Sequence, residues 1–130
     1  MSHPFLRTPA GLIVVQGVVT GPAQTVSVRF LIDTGSSTTA LAPAFLARAG
    51  VDLHDPLHAR PVQVITGNGV VAASSVVLTR PTSMGRTRIG IRVNALPLPA
   101  AAGVDGLLGM DFLDGNGLAF DFAARTVALA

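Results

Sequence analysis

The 130-residue sequence predicts an all-β fold on three observations. Two runs alternate apolar and polar residues with the period of a strand. Asn68-Gly69 sits between two β-branched runs as a hairpin turn, and helical signal is confined to two short pieces. A chain of this length, 49% hydrophobic, can bury about two-thirds of its unfolded surface in one core. A single domain over residues 1–130 is expected, with no repeat, low-complexity segment or internal linker.

The elements follow in order. Ala10 to Val19 has the apolar character of a signal peptide core, with Arg7 before it and Gly21-Pro22-Ala23 after it. It is too short to span a membrane. Its β-branched residues, the interruption at Gln16-Gly17 and the turn cluster Thr20-Gly21-Pro22 make it a strand. Val26, Val28, Phe30 and Ile32 alternate with Ser27, Arg29, Leu31 and Asp33, a strand with one face in the core. Pro43 to Gly50 reads as two helical turns, with Pro at the first position and Gly past the end. Arg60 to Thr66 and Val70 to Leu78 are strands joined through Thr66-Gly67-Asn68-Gly69. Thr87 to Pro97 alternates again, with Ile89, Ile91, Val93 and Ala95 on one side. Met110 to Leu113 suits one helical turn, and Leu118 to Asp121 with Thr126 to Leu129 a closing hairpin.

Charge excludes several classes. The formal charge is +2, and nine Arg with no Lys or Cys produce the high pI without a basic face, so nucleic acid is not an expected partner. No thiolate metal site or disulfide is possible. His3, His54 and His58 lack ligand spacing, and Asp105, Asp111 and Asp114 do not match a calcium loop, so these acids read as turn and helix-end residues. Neither metal nor cofactor is expected.

The chemistry concentrates at Phe30 to Pro43, where an apolar strand delivers Asp33 into Thr34-Gly35-Ser36-Ser37. Asp-Thr-Gly is also ordinary turn chemistry, with a chance expectation of roughly 6% from this composition. Two further features join it. The hairpin tip carries glycines on both sides of Asn68, which leaves backbone groups free to meet a ligand, although the same tip also suits an ordinary surface hairpin. Leu107-Leu108-Gly109 reads as a buried strand end where another backbone segment passes too close for a side chain at 109.

In this order and spacing, the three features resemble the retroviral-type aspartic proteases, and more closely their bacterial single-domain relatives and the Ddi-type domain. The resemblance covers about residues 10 to 130. It implies a retropepsin-like closed β-barrel with a flap hairpin and one or two short helices, acting as a homodimer on polypeptide substrates. Only one Asp-Thr-Gly is present, so the second acid of the catalytic pair comes from another copy. The resemblance makes Asp33 the general acid and base toward a shared water. Thr34 takes the position whose hydroxyl reaches across the dimer axis, and Gly35 lets substrate backbone approach. Ser36 and the flap residues Thr66, Gly67, Asn68 and Gly69 would bind substrate. Two departures stand out. Ser37 and Met110 occupy the places where many viral members carry an Asp and an Arg joined near the dimer interface, and Pro81 to Pro97 is longer than in the compact viral enzymes. The alternative is a catalytically silent module of the same fold that dimerises or captures peptides. No membrane insertion is expected. The expected location is cytoplasmic, or periplasmic or membrane-tethered if the chain is part of a larger precursor.

Overall fold

In the computed structural model, which describes residues 1–67, 69–78 and 80–130, the chain runs through β1 (Ser2–Pro4), β2 (Leu6–Arg7), β3 (Ile13–Thr20), β4 (Thr25–Ile32) and β5 (Ala40–Leu41) into helix α1 (Pro43–Ala49). There follow β6 (Ala59–Thr66), β7 (Gly69–Leu78), β8 (Arg80–Ser83), β9 (Arg86–Thr87), β10 (Ile91–Ala95), a 3₁₀ turn (Ala100–Ala102), β11 (Gly106–Leu108), helix α2 (Met110–Leu113), β12 (Leu118–Asp121) and β13 (Thr126–Leu129). The large sheet has the order β6-β7-β10-β5-β11-β4-β3-β8-β9, with β2 beside β3. It curls around one core, and no hydrogen-bonded pairing joins its two end strands among the described residues. A small sheet, β1-β13-β12, carries the two ends of the chain.

The alternation in β4 is realised as expected: Val26, Val28 and Phe30 are buried while Ser27 and Arg29 are exposed. α1 forms where Pro43 opens it, and ends where Gly50 adopts φ 91°, a left-handed conformation that glycine takes without a Cβ penalty. It buries Leu46 and Ala49 against the core, and Arg48 lies over the Phe45 ring. Among the described residues no helix is long and apolar enough to cross a membrane.

Two expectations are corrected. The alternating run from Thr87 to Pro97 is not one strand. It breaks at 88–90, where Gly90 has φ 68° and Ile89 is 75% exposed; the broken stretch lets Arg88 turn toward α2. Asp105 is not a turn acid. It is buried, and its carboxylate accepts from the Arg29 main-chain N–H (2.9 Å), Nε (3.0 Å) and Nη2 (2.8 Å), while its own N–H donates to Arg29 O. The side chain thus continues the β4–β11 ladder one residue beyond the last strand pair, Gly106 with Phe30.

The paired Arg29 guanidinium holds the Asp105 carboxyl below its ordinary value, against burial, which pushes it up. A depressed folded-state value stabilises above the unfolded carboxylate range of about pH 4 and fades as pH falls through the folded value. Asp105→Ala strands the Arg29 main-chain N–H and should cost about 1–3 kcal/mol near neutral pH. Urea unfolding of the two proteins should show that difference at pH 7, and a smaller one below about pH 4 as the parent's carboxylate protonates.

Candidate active site

The site begins with strand pairing. β4 and β11 run parallel, with Leu31 opposite Leu107 and Ile32 opposite Leu108, and the ladder continues as the Asp33 N–H donates to Leu108 O (3.1 Å). β4 stops there because the chain turns. Ser36 N–H donates back to Asp33 O (3.2 Å) and Gly35 N–H to Asp33 Oδ1 (3.0 Å), an Asx turn built from the motif itself. One carboxylate oxygen is therefore pinned. Oδ2 has no hydrogen-bond partner among the described residues. A Cβ at position 35 would lie 3.2 Å from Oδ1, so glycine leaves that oxygen room.

The turn is held from behind by α2. A four-residue helix has orphan N–H groups at its start, and no side chain caps this one from the N-cap position. The loop does so instead: Met110 N–H donates to Ser36 O (2.8 Å) and Asp111 N–H to Ser37 O (3.3 Å). Gly109 makes the approach possible, since a Cβ there would stand 2.7 Å from Thr38 C and 2.9 Å from Ser36 O. Thr39, fully buried, ties the two segments. Its hydroxyl donates to Asp111 Oδ1 (2.7 Å) and accepts from Gly109 N–H (3.1 Å), and its N–H donates to both Asp111 oxygens. At the other end of α2, Arg88 Nε donates to Phe112 O (2.9 Å) and Nη2 to Asp114 O, with the guanidinium over the Phe112 ring. A cation there also suits the negative end of the helix. The long Pro81 to Pro97 segment thus delivers a clamp on α2.

Asp33 lines a cleft of about 640 Å³. Gly35 to Thr38 form one wall, Gln63 to Gly67 of the β6–β7 hairpin another, and Asn94, Leu96 and Leu107 complete it. Of the residues assigned from sequence, Asp33, Gly35, Ser36, Thr66 and Gly67 meet in this cleft. Thr34 does not line it; it is exposed, and its hydroxyl has no partner among the described residues. Gly69 lies opposite Thr66 across the hairpin tip, where Thr66 Oγ1 donates to Gly69 O (2.9 Å), and is outside the lining. Asn68 lies outside the described residues.

The lining also includes Gln63, Val64, Ile65, Asn94, Leu96 and Leu107, which carry no motif. One signal was present for the hairpin: Ile65 and Val70 are cross-strand partners at its tip, yet 86% and 61% exposed, apolar residues kept out of the core. Among the described residues no three His or Asp side chains converge to hold a metal ion.

Thr39→Val removes the hydroxyl at nearly constant shape and leaves the Gly109 N–H and one Asp111 contact unmatched in a buried place. A loss of about 1–3 kcal/mol is expected by chemical denaturation, and Thr39→Ser, which restores the hydroxyl, should recover most of it.

The profile of the family described as aspartyl protease matches residues 15–112, three-quarters of the chain and the whole span from β3 into α2. No curated protein sequence matches. Among solved structures the chain is similar to a retropepsin-like aspartic protease from Rickettsia conorii, with a TM-score of 0.71 and 23% identity, covering 99% of this chain and 89% of that one. At that identity the likeness speaks for the fold, which is retropepsin-like. With Asp33-Thr34-Gly35 at the end of β4, Leu107-Leu108 paired beside that strand, Gly109 packed against the turn, and both motifs within the matched span, the chain belongs to the aspartyl protease family.

Proposed function

We propose that the chain is an aspartic endopeptidase that works as a homodimer, with water activated between the two Asp33 carboxylates. The observation that carries this reading is the state of Asp33: it stands in the cleft beneath a hairpin, one oxygen fixed by Gly35 and the other uncommitted, in a chain with one Asp-Thr-Gly. A single carboxyl cannot act as base toward water and as acid toward the carbonyl oxygen in the same step. A two-fold axis beside the exposed Thr34 would supply the second half and give its hydroxyl a partner.

The chemistry follows from two carboxyls that share one proton. The ionised Asp33 takes a proton from water as the oxygen attacks the peptide carbonyl, and the protonated Asp33 of the second copy donates to the carbonyl oxygen as charge builds there. Collapse of the tetrahedral intermediate breaks the C–N bond and the nitrogen leaves with a proton from the dyad. No covalent enzyme intermediate forms. Gly35 leaves space for the substrate backbone, and the free edge of β6 offers main-chain groups to an extended peptide by strand addition.

Asp33→Asn should reduce peptide cleavage by at least about 10²-fold while the protein remains folded and dimeric, because the amide is isosteric and relieves like charges on the axis. The parent enzyme's rate should be bell-shaped in pH on the acid side of neutrality, since both the doubly ionised and doubly protonated pairs are inactive. EDTA should leave the rate unchanged. Undiminished cleavage by the purified variant, or a rate that climbs steadily through pH 8, contradicts the shared-proton mechanism. A folded dimer that binds peptides but cuts none favours the silent binding module.

A further inference from the structure

The sheet face that contributes Asn94 and Leu107 to the cleft continues beyond the lining residues, toward Arg60 and Arg92, which do not line it. The strand registers place Arg60, Ser75, Asn94, Ala40 and Leu107 in one row across five strands, from β6 through β7, β10 and β5 to β11. Side chains in such a row share a face of the sheet. Asn94 and Leu107 line the cleft, as do Val64 and Thr66, which share that face with Arg60 by the two-residue period of β6. Arg92 lies two residues before Asn94 on β10 and shares the face as well. At strand spacings of about 4.8 Å and a rise of about 3.3 Å per residue, the Cα atoms of Arg60 and Arg92 lie within about 10 Å of Asn94.

The charge pattern along this face is asymmetric. Asp33 is the one charged residue among those lining the cleft; the rest are neutral. Beyond Asn94 stand two guanidinium groups without an acid. Arg60 is exposed and its side chain makes no hydrogen bond or ion pair among the described residues, and Asp55, five residues before it, is engaged with the Leu57 N–H and His58. Arg92 uses Nη1 on Ser75 O (3.1 Å) and Oγ (3.3 Å), and the rest of its fork has no hydrogen-bond partner among the described residues.

We propose that Arg60 and Arg92 form an outer subsite for a carboxylate side chain of the bound peptide, so that the substrates carry an uncharged cleavage site with an Asp or Glu several residues from it. This rests on peptide cleavage as the proposed function. Planar guanidinium forks match carboxylates in geometry and charge. Distance from Asp33 matters equally: an acid next to the dyad would repel the ionised Asp33, whereas one held at the end of the row does not. In a two-fold dimer the subsite occurs at both ends of the cleft.

The test uses short peptides with an apolar pair at the centre and a single Glu, or its neutral isostere Gln, placed in turn at each outer position. Binding is measured on the Asp33→Asn chain, and cleavage on the parent. At one or two outer positions Glu should bind about three- to tenfold tighter than Gln, with the preference shrinking as salt is raised. The preference should weaken in Arg60→Gln, which removes no side-chain hydrogen bond or ion pair found among the described residues, and vanish when Arg92→Gln is added. It should survive Arg86→Gln on β9 at the far end of the sheet. Equal binding of Glu and Gln peptides, a preference that outlives both substitutions, or no binding of any peptide overturns the subsite. Cleavage by the parent without discrimination overturns the subsite alone. Discriminating binding to Asp33→Asn, with no cleavage by the parent, overturns the peptidase and leaves the subsite standing.

Discussion

The contact on which the site depends is the passage of Gly109 against the backbone of Ser36 to Thr38. No side chain fits between them, and this closeness lets the first N–H groups of α2 reach Ser36 O and Ser37 O and lets Thr39 bridge to both Gly109 and Asp111. Two needs are met by one geometry. The orphan donors of a short helix find acceptors, and the loop after Asp33 is held by the same contacts. Asp33 inherits its position from that loop and from the β4–β11 ladder, which sets its main chain through Leu108 O. The acid stands at the end of a buried strand because two elements far apart in sequence converge there, and of its side chain only Oδ2 has no partner among the described residues.

Support for this arrangement reaches outward in successive layers. Arg88 grips the carboxyl end of α2, and Asp105 stitches β4 to the strand that precedes Gly109. Ser37 and Met110 carry no charge, and the loop is held without an ion pair there: backbone bonds and Thr39 carry it, while Arg88 approaches α2 from its other end. Among the described residues that line the cleft, Asp33 is the one charged group, and no cation stands beside it there.

Much of this was legible in the sequence where signals are local. The alternation of Val26, Val28 and Phe30, the Pro43 and Gly50 that bracket α1, the Gly-tipped hairpin and the closing hairpin all depend on neighbours within a few residues. So does the Asx turn of Asp33. What escaped depends on distant partners. Asp105 reads as a turn acid until Arg29, 76 residues away, is placed beside it. The alternation through Ile89 promises a strand, but Arg88 is drawn out by carbonyls on α2, a tertiary pull that overrides local propensity. β1 spans three residues and exists by pairing with β13 at the far end of the chain. Asn94 and Leu96 enter the cleft through the fold alone, since nothing in their surroundings marks them.

The central claim is that each chain holds half of a catalytic centre, and mixing chains tests it most directly. Asp33→Asn protein is added to a fixed amount of parent protein under conditions that let subunits exchange, and peptide cleavage per parent chain is followed. If two Asp33 groups share one centre, cleavage falls to about half at equal amounts and approaches zero in excess variant, because parent chains are drawn into mixed dimers that lack the second acid. Cleavage that stays constant per parent chain at every ratio, with exchange verified, contradicts it and assigns the activity to a single chain.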